Sequence, residues 1–119
     1  MPEFTLHLED SEAGLGKTAH FECEINSSQS LDVRFFKGTK EIFEGVKYKV
    51  INDGSKYKLL IFNVSLDDQD EYSVKARNKA GSKISRAFLT ATSKNNFLFF
   101  FSRNKNPIIL TILFFSLIF

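Results

Sequence analysis

Residues 68–81 have the sequence DQDEYSVKARNKAG, and this stretch decides the fold. Its apolar side chains, Tyr72, Val74 and Ala76, alternate with polar ones. A period of two is typical of a β-strand with one buried face and one face in solvent. The last four residues of the stretch begin with Asn78 and end with Gly81, two residue types that a tight turn with positive φ favours. The stretch therefore predicts a half-buried strand followed by a hairpin turn.

The same alternation recurs in short runs through the first 92 residues. The apolar members of the other runs are Phe4, Leu6 and Leu8; Ala19, Phe21, Cys23 and Ile25; Val33 and Phe35; Tyr48 and Val50; Tyr57, Leu59 and Ile61; and Ala87, Leu89 and Ala91. Turn-forming residues separate the runs at 14–16, 26–30, 37–38, 52–54 and 78–81. Helical periodicity is absent, and no connection is long enough for the crossover that parallel strands require. We therefore predict an all-β fold, a two-sheet antiparallel β-sandwich.

Composition and charge exclude several classes of protein. The chain has 119 residues, 43% hydrophobic and 25% charged, which is ordinary for a globular domain. A formal net charge of +2 is too small to indicate a nucleic-acid partner. A single Cys excludes an internal disulfide and any multi-cysteine zinc site. We predict no cofactor and no metal.

These motifs resemble those of the intermediate-set (I-set) immunoglobulin domain. Residues 68–81 are similar to strand F and the F–G turn of that family, whose pattern is Asp-x-Gly-x-Tyr-x-Cys-x-Ala-x-Asn-x-x-Gly. Residues 19–23 (AHFEC) resemble strand B, residues 33–38 (VRFFKG) strand C, and residues 59–64 (LLIFNV) strand E. The resemblance covers residues 2–92 and implies one immunoglobulin-like domain with those bounds.

The resemblance also implies structural roles for individual residues. Tyr72 is expected to form the family's tyrosine corner, in which the hydroxyl is tied to nearby backbone. Asp68 is expected to pair with Lys47, and a separation above about 6 Å would contradict this pairing. Asn78 and Gly81 are expected to form the turn after strand F.

Three positions depart from the family pattern. Val74 occupies the place of the second Cys, so Cys23 has no partner; Phe35 replaces the core Trp; and Asp70 replaces the Gly before the tyrosine. Losing the disulfide forgoes about 2–4 kcal/mol, which a small secreted domain seldom gives up. No apolar targeting segment precedes Pro2. Both observations lead us to expect the cytosol.

Residues 34–42 (RFFKGTKEI) and 71–78 (EYSVKARN) are most similar to the immunoglobulin modules of titin- and twitchin-type giant muscle proteins. This implies a non-enzymatic structural and protein-binding module, a fragment of a longer sarcomeric scaffold or spacer. Its partners would be neighbouring immunoglobulin or fibronectin modules and muscle filament proteins. The alternative is a cell-surface adhesion or receptor domain with a membrane anchor, in which the sequons at Asn26 and Asn63 would carry glycans.

No catalytic or metal-binding constellation can be assembled from the sequence. Cys23 is predicted to be an inert buried thiol, and His7 and His20 to be surface residues. The acidic residues in 67–71 lack the Gly and Glu of a calcium loop, so we interpret them as a solvated turn. Gly-Lys-Thr at 16–18 lacks the spacing of a phosphate loop and is interpreted as another turn.

Three apolar residues, Phe36, Leu60 and Phe62, fall at outward-facing positions of the predicted strands. We predict them as a candidate partner surface. Scattered surface hydrophobic residues are also normal in monomeric proteins, and that alternative stays open.

Residues 93–119 form a separate tail that holds half of the 14 Phe residues. Apolar runs at 97–101 and 108–119 are separated by a polar segment containing Arg103, Lys105 and Pro107. A membrane helix needs about 20 consecutive apolar residues, so this tail is a marginal anchor. A lipid-anchor signal is a second interpretation. The third, which we favour because Phe, Leu, Ile, Asn and Lys have A/T-rich codons, is translated intron, and none of the three predicts a packed fold.

Overall fold

The computed structural model describes residues 1–92, which form nine β-strands and one short 3₁₀ helix. The strands are β1 (Glu3–Leu6), β2 (Ser11–Gly14), β3 (Ala19–Asn26), β4 (Asp32–Lys37), β5 (Lys40–Glu41), β6 (Tyr48–Asp53), β7 (Lys56–Ile61), β8 (Asp70–Asn78) and β9 (Gly81–Thr92). The 3₁₀ helix, Leu66–Asp68, lies in the β7–β8 corner, which we define as residues 62–69. The predicted tail and its three interpretations lie outside the described residues.

The strands form two sheets packed as an immunoglobulin-like sandwich, which confirms the predicted fold class. The four-stranded sheet has the order β1-β3-β7-β6, and the five-stranded sheet has the order β2-β9-β8-β4-β5. One pair corrects the expectation of a wholly antiparallel sandwich: β2 runs parallel to β9, with Ser11 opposite Leu89 and Gly14 opposite Thr92. One extended stretch therefore serves both sheets, because β1 joins the first and β2, after residues 7–10, joins the second.

The core lies between the two sheets and follows the predicted alternation in β3, β8 and β9. Phe35, at the position where the family has Trp, is only 2% exposed. The rings of Phe21 and Tyr72 pack across the interior with their centroids 5.2 Å apart. The other buried apolar residues of these strands and of β7 are Ala19, Cys23, Ile25, Leu59, Ile61, Val74, Ala76, Ala87, Leu89 and Ala91.

The prediction for β1 is wrong at one residue. Leu6 was expected on the buried face with Phe4 and Leu8, but its side chain is 46% exposed, whereas Phe4 packs against the core and Leu8 is buried. Phe4 pairs with Ile25 and Leu6 with Glu24, so the register shifts between them. Such a β-bulge reverses the alternation of the strand and turns Leu6 outward.

The preceding loop covers part of the free edge of β6. The backbone N–H of Val50 donates to Glu44 Oε1 at 2.9 Å, and the N–H of Gly45 donates to the carbonyl of Tyr48 at 3.0 Å. Both strand groups face away from β7. The loop therefore satisfies two backbone groups that an unprotected edge would leave open.

Each of the five predicted turns includes the connection, or part of the connection, between two consecutive strands, and the strands extend into the ends of the predicted ranges. The turn between β4 and β5 needs glycine at Gly38, whose φ is +57°. An L side chain is strained in that region, so the Lys-Gly pair at 37–38 has a backbone reason.

Candidate functional site

Asp68 organises the β7–β8 corner. It is buried, and its Oδ2 accepts hydrogen bonds from Lys47 Nζ at 2.6 Å and from the backbone N–H of Ser65 at 2.8 Å. Lys47 Nζ also donates to the carbonyl of Asn63 at 3.1 Å. The ion pair expected from the sequence is therefore present, and it links the loop before β6 to the corner.

The environment of Asp68 favours its charged form. Burial alone raises the pKa of this carboxyl, because a charge is poorly solvated there. The hydrogen bonds from Lys47 and Ser65, with the positive charges of Lys47 and Lys37, outweigh burial and leave the pKa below the ordinary Asp value. The carboxylate is thus stabilised by the fold and contributes to stability in return.

Tyr72 is hydrogen-bonded to the backbone of Asp68. Its hydroxyl donates to the carbonyl of Asp68 at 2.6 Å, and its ring is fully buried between the sheets. Burial raises the pKa of the phenol, so the hydroxyl keeps its proton for this bond. This is the tyrosine-corner geometry that the family resemblance implies.

Cys23 and Val74 are both fully buried and belong to different sheets, on β3 and β8. Burial, with a smaller effect of the Glu22 charge, raises the pKa of the Cys23 thiol to about 12. A thiol that is neither ionised nor accessible is a poor nucleophile and a poor metal ligand. The geometry supports the prediction of an inert core cysteine.

Two other segments of the chain contact the turn between β8 and β9. Asn78 Oδ1 accepts the backbone N–H of Ala80 at 2.8 Å, and Asn78 Nδ2 donates to Ser27 Oγ at 3.0 Å. Gly81 has a φ of +148°, and a Cβ added to it would lie 3.1 Å from the Cγ of Met1. Asn78 and Gly81 therefore occupy the turn expected for them, and Asn78 joins it to the β3–β4 loop.

His7 and His20 are exposed, as predicted, but they share a cleft of about 220 Å³. His7 Nδ1 lies 3.2 Å from Ser85 Oγ, which accepts the backbone N–H of Leu8 at 2.9 Å. The charged residues of the cleft are Glu9, Asp10 and Glu22. In the part of the chain that the structure describes, no group of three His, Cys, Asp or Glu side chains is arranged to hold a metal ion.

Two stretches that were compared with ligand-binding loops lie at or beside connections between strands. Residues 16–18 lie in the connection from β2 to β3. The acidic run lies in and after the β7–β8 corner, with Asp67 and Asp70 exposed. The interpretation of that run as a solvated turn is wrong for Asp68, because Lys47 and Ser65 bind it in a buried position.

The three residues predicted as a partner surface do not all lie on one sheet, and their role in partner binding stays a prediction. Phe36, Leu60 and Phe62 are all half-buried, and Phe36 and Leu60 lie on different sheets. Parity within a strand predicts the direction of a side chain but not the cover that its neighbours provide. Among residues 1–92, the large apolar residues with most exposure are Val46, Phe43, Met1, Phe88, Leu66, Leu6 and Ile84.

The outer face of the five-stranded sheet is rich in basic residues. We define the basic face as Arg34 on β4, Lys75 and Arg77 on β8, and Arg86 on β9. Arg34 forms ion pairs with Asp32 at 3.0 Å and Glu41 at 3.4 Å. Among residues 1–92, no carboxylate lies within 4.0 Å of the charged groups of the other three. Their outward parity is visible in the sequence, but their proximity depends on strand pairing between distant segments.

The sandwich with its tyrosine corner has the architecture of an immunoglobulin-like domain. The chain belongs to the immunoglobulin I-set domain family, and the model of that family matches residues 2–91. Its relatives include the muscle M-line assembly protein unc-89 of Caenorhabditis elegans, 29% identical over 90 residues, which are 74% of this chain and 1% of that protein. Slow-type myosin-binding protein C of Homo sapiens is 38% identical over 72 residues, or 59% of this chain and 6% of that protein.

A solved structure of the twitchin kinase region from C. elegans superposes with a TM-score of 0.75 at 35% identity, covering 76% of this chain and 16% of that one. The chain therefore spans only a small part of the proteins it matches. The chain is thus an I-set domain with sequence similarity to parts of muscle proteins. Within residues 1–92, no helix is long and apolar enough to cross a membrane.

Proposed function

We propose that this chain is a non-enzymatic structural and protein-binding module of a titin- or twitchin-type muscle protein, acting in the sarcomere as a scaffold or spacer. One observation carries the proposal: the chain is an I-set sandwich with a single cysteine that is buried and unpaired, and its relatives are muscle proteins. A domain that lacks its family's disulfide suits a reducing compartment. The described residues would form the packed module and residues 93–119 a tail outside it.

The pairing of β2 with β9 suits a load-bearing role. These strands lie near the two ends of the domain and run parallel, with four residue pairs in register. When tension pulls the start of β2 away from the end of β9, the force acts along both strands. The hydrogen bonds between the two strands are then loaded together in shear and do not break one after another. The N–H of Leu15 adds a further bond to the carbonyl of Thr92 at 2.7 Å.

Tagged protein expressed in striated muscle cells tests this function. The expected result is a repeating band in register with a Z-disc or M-line marker. Staining of unpermeabilised cells, with glycans on Asn26 or Asn63, would contradict the proposal and support the cell-surface alternative. Sequencing the spliced transcript across codons 85–119 tests the tail: continuation in frame into another immunoglobulin or fibronectin domain would support read-through, and a stop after Phe119 would support an anchor.

A further inference from the structure

We propose that the basic face docks an acidic, extended segment of a partner protein. The inference rests on the proposed protein-binding function and names the chemical class of the partner. Three features of the face favour such a partner: its uncompensated charge, its shape, and the spacing of its side chains.

The charge of the face is unfavourable in the isolated domain. Arg34 stands directly opposite Lys75 on the neighbouring strand, and like charges in that position repel each other. Asp32 and Glu41 compensate Arg34, but no carboxylate among the described residues does so for Lys75, Arg77 or Arg86. Carboxylates of a partner would relieve this repulsion and steer its approach.

The face is also concave at the place where the charge is concentrated. A groove of about 160 Å³ lies between β4 and β8, and it is lined by Asp32, Arg34, Phe36, Lys75 and Arg77. Phe36 is half-buried and provides an apolar surface beside the cations. A second, more open groove shares Asp32 and Arg77 and extends toward Lys79. A partner would thus find an apolar contact at one end and positive charge toward the other.

The spacing of the side chains fits an extended peptide. Ser73, Lys75 and Arg77 occupy successive outward positions of β8, and Ser73 pairs with Phe36. Side chains on one face of a strand repeat at about 7 Å, the repeat of an extended peptide lying along it. A peptide with the pattern apolar-x-acidic-x-acidic would place its apolar residue near Phe36 and its carboxylates near the two cations. Glu71, the next outward residue, repels an acidic residue placed beyond the apolar one.

Fluorescence anisotropy with the full chain tests this docking. The probe is a labelled peptide containing Phe-Ser-Glu-Ser-Glu. The control peptide has Gln in place of both Glu residues. We expect saturable binding of the acidic peptide, weakened by added NaCl, and at least about tenfold weaker binding of the Gln peptide.

Matched variants locate the binding site. Lys75→Glu/Arg77→Glu should weaken binding by about tenfold or more, and the neutral Lys75→Gln/Arg77→Gln should weaken it less. The control is Lys49→Glu/Lys58→Glu, which makes the same change of charge on the four-stranded sheet. The neutral variant keeps the test valid if charge reversal impairs folding.

Equal affinity for the Glu and Gln peptides, or equal losses in the site and control variants, would overturn the proposal. Tighter binding of an oligonucleotide of matched charge would also overturn it, because the face would then select phosphate over an acidic peptide. Localisation in muscle cells separates this outcome from failure of the proposed function. A banded pattern without peptide binding rejects only the docking site, whereas absence of the pattern for the unmodified chain rejects the sarcomeric role.

Discussion

Lys47 Nζ lies 2.6 Å from Asp68 Oδ2, and a backbone hydrogen bond of 2.9 Å from the N–H of Phe62 to the carbonyl of Lys47 joins the same two segments. Tyr72 binds the backbone carbonyl of the same aspartate. One residue therefore connects the loop before β6, the β7–β8 corner and β8. The side chain of Lys47 is 36% exposed whereas that of Asp68 is 6% exposed, so the aspartate is the partner whose loss has the larger effect.

Replacement of Asp68 by Ala should lower the free energy of unfolding by about 2 kcal/mol, because Lys47 and the N–H of Ser65 lose a charged acceptor. Urea denaturation measures the change. Asp67→Ala is the matched control, since that side chain is exposed, and it should change stability by less than about 0.5 kcal/mol. Equal effects of the two substitutions would contradict the organising role of Asp68.

The contribution of Asp68 should depend on pH. Its pKa is lower in the folded protein than the ordinary value of about 3.9, so the folded state binds fewer protons than the unfolded state near that pH. The stabilisation is complete above the unfolded-state pKa and is lost as the pH falls through the folded-state pKa. The stability difference between the unmodified chain and Asp68→Asn should therefore shrink as the pH is lowered from 6 to about 2. A difference that stays constant over this range would show that the charge of Asp68 is unimportant.

Removal of the Tyr72 hydroxyl by Tyr72→Phe should destabilise the domain by about 1–2 kcal/mol, because the buried carbonyl of Asp68 loses its donor. The measurement is again chemical denaturation. Tyr57→Phe is the control: Tyr57 is half-buried, and its hydroxyl makes no hydrogen bond among residues 1–92. If the two variants unfold at the same denaturant concentration, the tyrosine corner adds no stability here.

Substitution of Val74 by Cys should restore a disulfide to Cys23, because both positions are fully buried and lie on the two facing sheets. The oxidised variant should be about 2–4 kcal/mol more stable than its reduced form. Thiol titration in denaturant with and without reductant measures the bond, and Val74→Ser serves as a variant without a second thiol. Two free thiols after oxidation would show that the sheets do not present these positions to each other.

Most of the core could be predicted because the signal is local. In β8 every second residue from Tyr72 to Ala76 is apolar, and the burial of the strand follows that pattern. Leu6 could not be placed, since the β-bulge that turns it outward depends on pairing with β3. The parallel pairing of β2 was missed for a similar reason: the four residues of β2 do not alternate, and their partners begin at Leu89.

The candidate surface was harder to predict than the core. Phe36 was correctly assigned to an outer face, but neighbouring side chains leave it half-buried. The basic face could not be derived from one strand, because Arg34 and Lys75 become neighbours only through the register of β4 with β8. Buried positions are constrained by an alternation within each strand, whereas a surface is assembled from several strands at once.

The hydrogen bond between Glu44 and Val50 affects how copies of this domain behave when they are crowded together. An unprotected edge strand can pair with the same strand of another molecule, and repeated pairing leads to fibrils. Here the carboxylate of Glu44 already accepts the N–H of Val50, and Gly45 already donates to Tyr48. An approaching strand would have to displace the domain's own loop before it could pair with these two groups. The loop thus protects part of this edge, which disfavours strand pairing between neighbouring copies at high local concentration.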